Sequence, residues 1–138
     1  MASGLPSVGG GRQLGDSNLN ELLIGTMPDP QTATATATLT ATQVTGGMLV
    51  ANPSTTAATY TFPTAALLDA ALANLKVGST FDLVIVNLGT SSGALTLTMG
   101  TGLTLSGSGT VAITSSAQLR FRRTGTNDTA SFTVYRIS

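Results

Sequence analysis

Residues 31–43 read QTATATATLTATQ, and this alternation constrains the fold more than any other part of the chain. Threonine occupies every even position from 32 to 42, and alanine or leucine occupies every odd position between them. Because successive side chains of a β-strand point to opposite faces, the pattern predicts a strand over residues 32–44. A buried alanine methyl contributes only about 0.8 kcal/mol, so backbone pairing and close packing must hold this strand.

The length of this predicted strand leaves several arrangements open. Eleven extended residues span about 36 Å, roughly twice a typical strand. The strand either bends from one sheet to another or reaches past its own subunit. In the second case, small side chains let neighbouring backbones approach closely in an assembly. The third arrangement is an ordinary long outer strand of one sandwich.

The composition indicates one domain with much of its surface covered by protein. The chain has 138 residues, of which 9% are charged, against about 25% in typical globular domains. Six basic residues balance six acidic ones, and a domain with net charge near zero tends to self-associate. Cysteine and histidine are absent. Disulfides, thiol chemistry and imidazole ligands are therefore excluded for this sequence.

Two regions are expected along the chain. Residues 1–30 are predicted to form an extended, glycine-rich arm with a short apolar anchor, because few apolar side chains accompany the glycines. In the anchor, Leu19, Leu22 and Leu23 fall at positions i, i+3 and i+4 and Ile24 follows, as in a short amphipathic helix. Residues 31–138 are predicted to form a β-sandwich or jelly-roll-like domain.

The pattern over residues 31–138 favours a mainly β fold, an antiparallel β-sandwich or jelly roll with one short helix. The helix is expected over residues 64–75, capped by Thr64, with Leu67 and Leu68 in its apolar stripe. Residues 80–88 are apolar on both faces, which predicts a central strand covered on both sides. Residues 117–123 and 131–137 are expected to close the chain as a hairpin.

The sequence predicts no catalytic, cofactor or metal site. Residues 10–17 have the spacing of a nucleotide-binding loop, but Asp16 stands where that loop needs lysine. Asp69 and Asp82 could in principle form a glycosidase pair. A solvated helix face is the favoured interpretation of Asp69, and a bond to a turn or an arginine that of Asp82. Isolated acids do not make a calcium loop.

Four of the six basic residues lie near the C-terminus, at 120, 122, 123 and 136. Arg120 and Arg122 are expected on one face of a strand, with Phe121 on the other. A neutral chain with few aromatic residues is a poor match for nucleic acid. Arginine is enriched at protein interfaces, so Arg120, Arg122 and Arg123 join the four anchor residues as candidate partner-binding residues. A plain solvated face is the alternative.

No membrane segment or signal peptide is expected. The longest strongly apolar stretch is Leu83 to Val86, far shorter than a membrane span. The N-terminal fifteen residues contain no apolar run of the kind that a signal peptide needs. The expectation is a protein made in the cytoplasm, without a membrane partner.

Several features follow one another along the chain: Tyr-x-Phe-Pro at 60–63, an Ala/Leu helix, a Phe-Asp start at 81–82 to an apolar strand that ends in Asn87, a Gly-Thr-Gly turn at 100–102 and a closing Val-Tyr-Arg at 134–136. In this order and texture the chain resembles tailed-phage structural proteins, namely capsid decoration (cement) proteins and head-fibre proteins. The resemblance covers about residues 58–137 and does not include the first 57.

This resemblance implies a jelly-roll-like homotrimer without catalytic residues, bound to the major capsid protein on the outer surface of the virion. The alternative is a tail or head-fibre component that binds host-surface glycan. A small carbohydrate-active enzyme is a third class, disfavoured because sugar sites usually use Trp or Tyr platforms and this chain has no Trp and two Tyr.

Overall fold

The structure, a computed structural model, describes residues 25–126 and 128–138. In these ranges the protein is mainly β, with ten strands and two short helices. In chain order the elements are β1 (Gln31–Ala33), β2 (Ala37–Thr38), α1 (Ala41–Thr45), β3 (Met48–Ala51), β4 (Ala58–Thr61), α2 (Ala65–Ala71), β5 (Thr80–Asn87), β6 (Leu95–Thr98), β7 (Leu103–Ser106), β8 (Thr110–Val111), β9 (Ser115–Arg123) and β10 (Phe132–Arg136).

The strands form two sheets, between which the chain alternates. The six-stranded sheet has the order β1-β3-β5-β9-β10-β7, and the four-stranded sheet has the order β2-β4-β6-β8. From β1 to β9, each strand lies in the other sheet from the strand before it. Strand β3 pairs in parallel with both β1 and β5. Strand β4 likewise pairs in parallel with both β2 and β6. The first six strands therefore make three turns of a coil.

The predicted antiparallel pairing is wrong for most of the described sheets. Five of the eight strand pairings are parallel and three are antiparallel. A short connection produces an antiparallel hairpin only if each strand pairs with the next strand in the sequence. Here most of those connections carry the chain to the other sheet, and it returns in its original direction. The predicted closing hairpin is confirmed, because β9 and β10 are antiparallel neighbours.

The predicted strand over residues 32–44 is not continuous, and of the arrangements left open by the sequence the bend from one sheet to the other is the one observed. The chain leaves the six-stranded sheet after Ala33, bends over residues 34–36, and enters the four-stranded sheet at β2. Helix α1 follows, because the Thr40 hydroxyl accepts a hydrogen bond from the Gln43 backbone N at 3.2 Å, while Gln43 Oε1 accepts one from the Thr40 backbone N at 2.9 Å. This reciprocal capping box starts the helix, and the helix buries Val44.

Gln43 also closes the free edge of β1. Its Nε2 donates to the backbone oxygen of Thr32 at 2.8 Å. The oxygen of Ala33 accepts from Asn52, just after the neighbouring strand, so the Thr32 oxygen points toward the unpaired side. A free edge is a template for pairing with another chain. One glutamine therefore both begins α1 and satisfies part of the sheet edge.

One hydrophobic core joins the two sheets. Phe121 of β9 stacks on Phe81 of β5 with ring centroids 4.7 Å apart, and on Phe62, which follows β4, at 5.7 Å. Phe132 of β10 meets Phe81 edge-on at 6.1 Å. Aliphatic residues from both sheets complete the buried cluster, among them Leu49, Ile85, Leu95, Val111 and Leu119.

Helix α2 begins as predicted but ends early. The Thr64 hydroxyl accepts from the Leu67 backbone N at 3.3 Å, which is the predicted N-cap. The helix ends at Ala71, four residues before the predicted end. Leu68 is fully buried, whereas Leu67, which was placed in the same apolar stripe, is 57% exposed.

Strand β5 is central, as predicted, but it is not buried on both sides. It lies between β3 and β9 in the six-stranded sheet. Leu83 and Ile85 face the core and have no exposed surface. Val84 and Val86, on the opposite side, are only partly buried among the described residues. The apolar side of β5 that faces away from the core forms part of the candidate site.

Candidate functional site

The candidate site is the side of the six-stranded sheet that faces away from the core, hereafter the outer face. Strand register assigns its residues, since Val84 of β5 pairs with Met48 of β3 and with Gln118 of β9. Residues two positions apart on a strand share a face. The outer face therefore continues from Val84 to Val86 in one direction and to Asp82 in the other.

One half of the outer face is apolar. It comprises two adjacent rows, Met48 beside Val84 and Val50 beside Val86, and is hereafter the apolar half. All four side chains are partly buried. At the end of β5, Leu88 is 50% exposed and borders an open groove of about 500 Å³ that Val86 also lines. Apolar surface thus continues past the end of β5.

Beside the apolar half lies a charged cluster, Asp82, Gln118, Arg120 and Arg122, hereafter the charged half. Thr133 and Tyr135 of β10 border it on the same face, paired with Arg122 and Arg120. Arg120 Nε donates to Asp82 Oδ1 at 2.8 Å, and its Nη2 donates to Oδ2 at 3.0 Å. Gln118 Nε2 adds a third bond to Asp82 at 3.2 Å. The bond from Arg120 lowers the pKa of Asp82 below its ordinary value and raises the pKa of Arg120. Both groups stay ionised at neutral pH.

Arg122 gives the charged half a surplus of positive charge. Residues of β9 alternate between faces, so Arg122 lies on the outer face two positions from Arg120, while Phe121 is buried on the core face. This confirms the predicted shared face. Among the described residues, no carboxylate lies within ion-pair distance of Arg122. Two arginines and one aspartate leave the half with a charge of +1.

Arg123 does not belong to this surface. Its side chain is 2% exposed, and Nε donates to Asp69 Oδ1 at 2.7 Å while Nη2 donates to Oδ2 at 3.1 Å. The guanidinium also donates to the backbone oxygens of Gly125 and Thr126. Arg123 therefore makes all of these hydrogen bonds within its own chain. The prediction that it binds a partner together with Arg120 and Arg122 is corrected accordingly.

The same ion pair corrects the interpretation of Asp69. It was expected on a solvated helix face, but its carboxylate fixes α2 to β9 through Arg123. Asp82 bonds an arginine, as expected. Because Arg120 and Arg123 lie on opposite faces of β9, the two carboxylates are held on opposite sides of the sheet. These two acids therefore do not form a glycosidase pair.

The four anchor residues, Leu19, Leu22, Leu23 and Ile24, lie outside the described residues, as does most of the predicted arm. Residues 25–30, the rest of that arm, carry no helix or strand and are exposed. The described chain from residue 31 onward contains all the strands that share the core.

Asn87, which the sequence analysis noted only as the end of an apolar strand and not as a site residue, shapes the end of the outer face. Its side chain is buried, and Oδ1 accepts from the Gly89 backbone N at 2.8 Å. Its Nδ2 donates to the oxygens of Gly93 and Ala112, each at 3.0 Å. These bonds hold the loop that carries Leu88. The signal in the sequence was an amide directly after the apolar run from Leu83 to Val86.

A second cavity, of about 420 Å³, lies at the bend between β1 and β2. Its lining is rich in hydroxyl and amide groups, including those of Thr34, Thr36, Asn52, Ser54 and Thr56. Such groups can donate and accept hydrogen bonds with a polar ligand. The described lining contains no aromatic ring.

Comparison with family models, with curated proteins and with solved structures found no match to this chain. Within residues 25–126 and 128–138, no three metal-ligating side chains are grouped closely enough to hold an ion. No helix in those ranges is both long and apolar enough to cross a membrane.

Proposed function

We propose that this chain is a structural virion protein, a decoration protein that binds the major capsid protein on the outer surface of a phage head. The outer face of the six-stranded sheet is the proposed docking surface. Its combination of an apolar half with a charged half of net positive charge is the observation that supports the proposal. Protein interfaces commonly join apolar contacts to arginine-mediated polar ones.

The proposed mechanism is thermodynamic. A partner that binds the assembled shell more tightly than its separated subunits stabilises the shell by mass action. Arg120 is already oriented by Asp82, so little side-chain freedom remains to be lost when it meets a capsid carboxylate. Arg122 brings a further positive charge beside it. The arm, with its anchor Leu19, Leu22, Leu23 and Ile24, is proposed as a second contact with the capsid.

The two sheets that share one core support a sandwich as the finer description of the domain. The parallel pairing within the coil does not support the jelly-roll connectivity that the resemblance implies. A homotrimer, made in the host cytoplasm and located on the virion, remains part of the proposal.

Titration of the purified protein onto bare heads of the phage that encodes it tests the docking surface. Arg122→Ala should weaken binding about threefold or more, because one interfacial ion pair is lost. Lys76→Ala removes the same charge from the loop between α2 and β5, outside the strands of the sheet, and should leave binding unchanged. Equal affinity of both variants and the parent would contradict the docking role of the charged half, and no binding at all would contradict the function.

The hydroxyl-lined cavity favours one alternative, a fibre component that binds host glycan. A glycan array distinguishes the two functions, because a decoration protein needs no sugar. Saturable binding of a defined glycan that Thr36→Val abolishes would favour the fibre component. Absence of glycan binding together with saturable binding to bare heads would favour the decoration protein.

A further inference from the structure

The stretch just before the first strand contains a dipeptide with a reactivity of its own. Residues 27–31 read MPDPQ, and Asp29 is the only aspartate in the sequence that proline follows. Asp29 and Pro30 lie in the exposed stretch 25–30, which has neither helix nor strand, and β1 begins directly after Pro30. The dipeptide is therefore open to solvent at the border of the β-domain.

The peptide bond between Asp29 and Pro30 combines two features that favour its cleavage. Proline makes the bond a tertiary amide, whose nitrogen takes up a proton and leaves more readily than that of an ordinary peptide bond. The aspartate side chain places its carboxyl beside the carbonyl carbon of the same residue, where attack closes a five-membered ring. An intramolecular nucleophile held near its target acts at a very high effective concentration.

Asp29 differs in its surroundings from the other aspartates in the described ranges. The carboxylates of Asp69 and Asp82 are each held by two hydrogen bonds from an arginine, and they belong to α2 and β5. Asp128 is exposed, like Asp29, but Thr129 follows it, so its peptide bond is an ordinary secondary amide. Within those ranges, only Asp29 combines exposure, a backbone outside helices and strands, and a tertiary amide.

We propose that the Asp29–Pro30 bond is an acid-triggered self-cleavage site of this protein. The Asp29 carboxyl attacks the Asp29 carbonyl carbon, so that a C–O bond forms and the C–N bond to Pro30 breaks. The proton of the carboxyl passes to the departing nitrogen, which becomes the amine of Pro30. One water molecule then opens the cyclic anhydride to two carboxyl groups. The net reaction is hydrolysis, and no oxidant or reductant takes part.

The position of the bond determines what cleavage does to the molecule. The products are residues 1–29 and 30–138, and the second product contains all the described strands and the buried cluster that joins the two sheets. The β-domain should therefore stay folded after the cut. A consequence for attachment rests on the proposed function, in which the arm is a second contact with the capsid. Acid separates that contact from the β-domain.

Incubation of the full-length protein at about pH 3, below the ordinary aspartate pKa of about 3.9, tests the site by mass spectrometry. The fragments 1–29 and 30–138 should form at least tenfold faster than at neutral pH. Asp29→Asn removes the nucleophile and Pro30→Ala makes the amide secondary, so each should slow this cut at least tenfold. Asp128→Asn removes an exposed carboxylate that no proline follows and, as the matched control, should be cut like the parent.

Two results of this experiment would overturn the proposal. One is an unchanged rate of the cut in Asp29→Asn or Pro30→Ala, and the other is faster cleavage beside a different aspartate. The fate of the β-domain is read after return to neutral pH, where the cut protein should melt at the same temperature as acid-treated, uncut Asp29→Asn. A collapsed melting temperature would overturn the survival of the β-domain.

Titration of cut and uncut protein onto bare heads separates this inference from the proposed function. At least tenfold weaker binding of the cut protein supports both the cleavage site and the arm as a capsid contact. If uncut protein does not bind heads at all, the proposed function fails while the cleavage site stands. If cut and uncut protein bind equally, the cleavage site stands and the arm is not a capsid contact.

Discussion

Two aspartate–arginine pairs in this protein have nearly the same geometry but different surroundings. Asp69 and Arg123 have side chains 29% and 2% exposed, while Asp82 and Arg120 are 36% and 50% exposed. Removing one partner of a buried pair leaves an uncompensated charge, which costs about 3–5 kcal/mol. Exposed pairs contribute only about 0–1 kcal/mol. Surroundings, rather than geometry, should therefore decide what each pair contributes to stability.

Asp69→Asn should lower the unfolding free energy by about 3 kcal/mol, and Asp82→Asn by less than about 1 kcal/mol. The two substitutions are chemically identical, so each controls for the other. Urea denaturation at neutral pH measures both. Equal losses would show that Arg123 finds other compensation in the folded protein when Asp69 is neutral.

Tyr60 should give the protein a characteristic loss of stability at high pH. Its hydroxyl donates to the oxygen of Thr34 at 2.8 Å, and burial raises its pKa above the ordinary value of 10.0. The folded state thus holds the proton longer than the unfolded state. This contribution is fully present below pH 10 and is lost as the pH rises through the raised pKa, by at most about 1.4 kcal/mol per pH unit.

In Tyr60→Phe the fall in unfolding free energy above pH 10 should be shallower than in the parent. The exposed Tyr135 provides the matched control, and Tyr135→Phe should keep the parent's slope. At neutral pH, Tyr60→Phe should cost about 1 kcal/mol through the lost hydrogen bond. Parallel pH profiles for all three proteins would argue against a raised Tyr60 pKa in the folded state.

At the scale of elements, the turns of the coil are held together at their corners. The Thr90 backbone N donates to the oxygen of Ser54 at 2.8 Å, which joins the corner after β5 to the corner after β3. A Cβ at Gly93 would collide with the backbone oxygen of Ser54 and with Gly89. The corners can stack only because glycine brings the two backbones this close.

Gly93→Ala should therefore destabilise the protein by about 1–3 kcal/mol, the usual cost of forcing extra atoms into a packed region. Gly25→Ala is the control, because no described atom lies within 4 Å of its added Cβ. Thermal melts of the two variants make the comparison. Similar melting temperatures for both would mean that the corners can move apart at little cost.

At the scale of the whole molecule, the low charge content predicts self-association. A chain with 9% charged residues and no net charge has little electrostatic repulsion between copies. The expected species is a trimer, with three times the 13.8 kDa chain mass. Light scattering at micromolar concentration measures this mass. A stable monomer would remove the trimer from the proposed function.

Local sequence patterns were sufficient to predict the features that residues close in the sequence determine. The Thr64 cap, the central position of β5 and the hairpin of β9 with β10 all follow from contacts close in sequence or from one uninterrupted apolar run. The side on which Arg120 and Arg122 lie follows from the two-residue period of a strand alone.

The three-dimensional fold decided what depends on distant partners. Alternation in residues 31–43 is compatible with a strand, yet residues 41–45 form a helix, with the Gln43 side chain bonded to the Thr32 oxygen and Val44 buried. Parallel pairing depends on which sheet each connection reaches, and no local pattern encodes that choice. Arg122 and Arg123 are adjacent and chemically identical, and the strand period places them on opposite faces. Which of those faces is covered was decided by the fold, where Arg123 meets the carboxylate of Asp69, a helix residue 54 positions earlier.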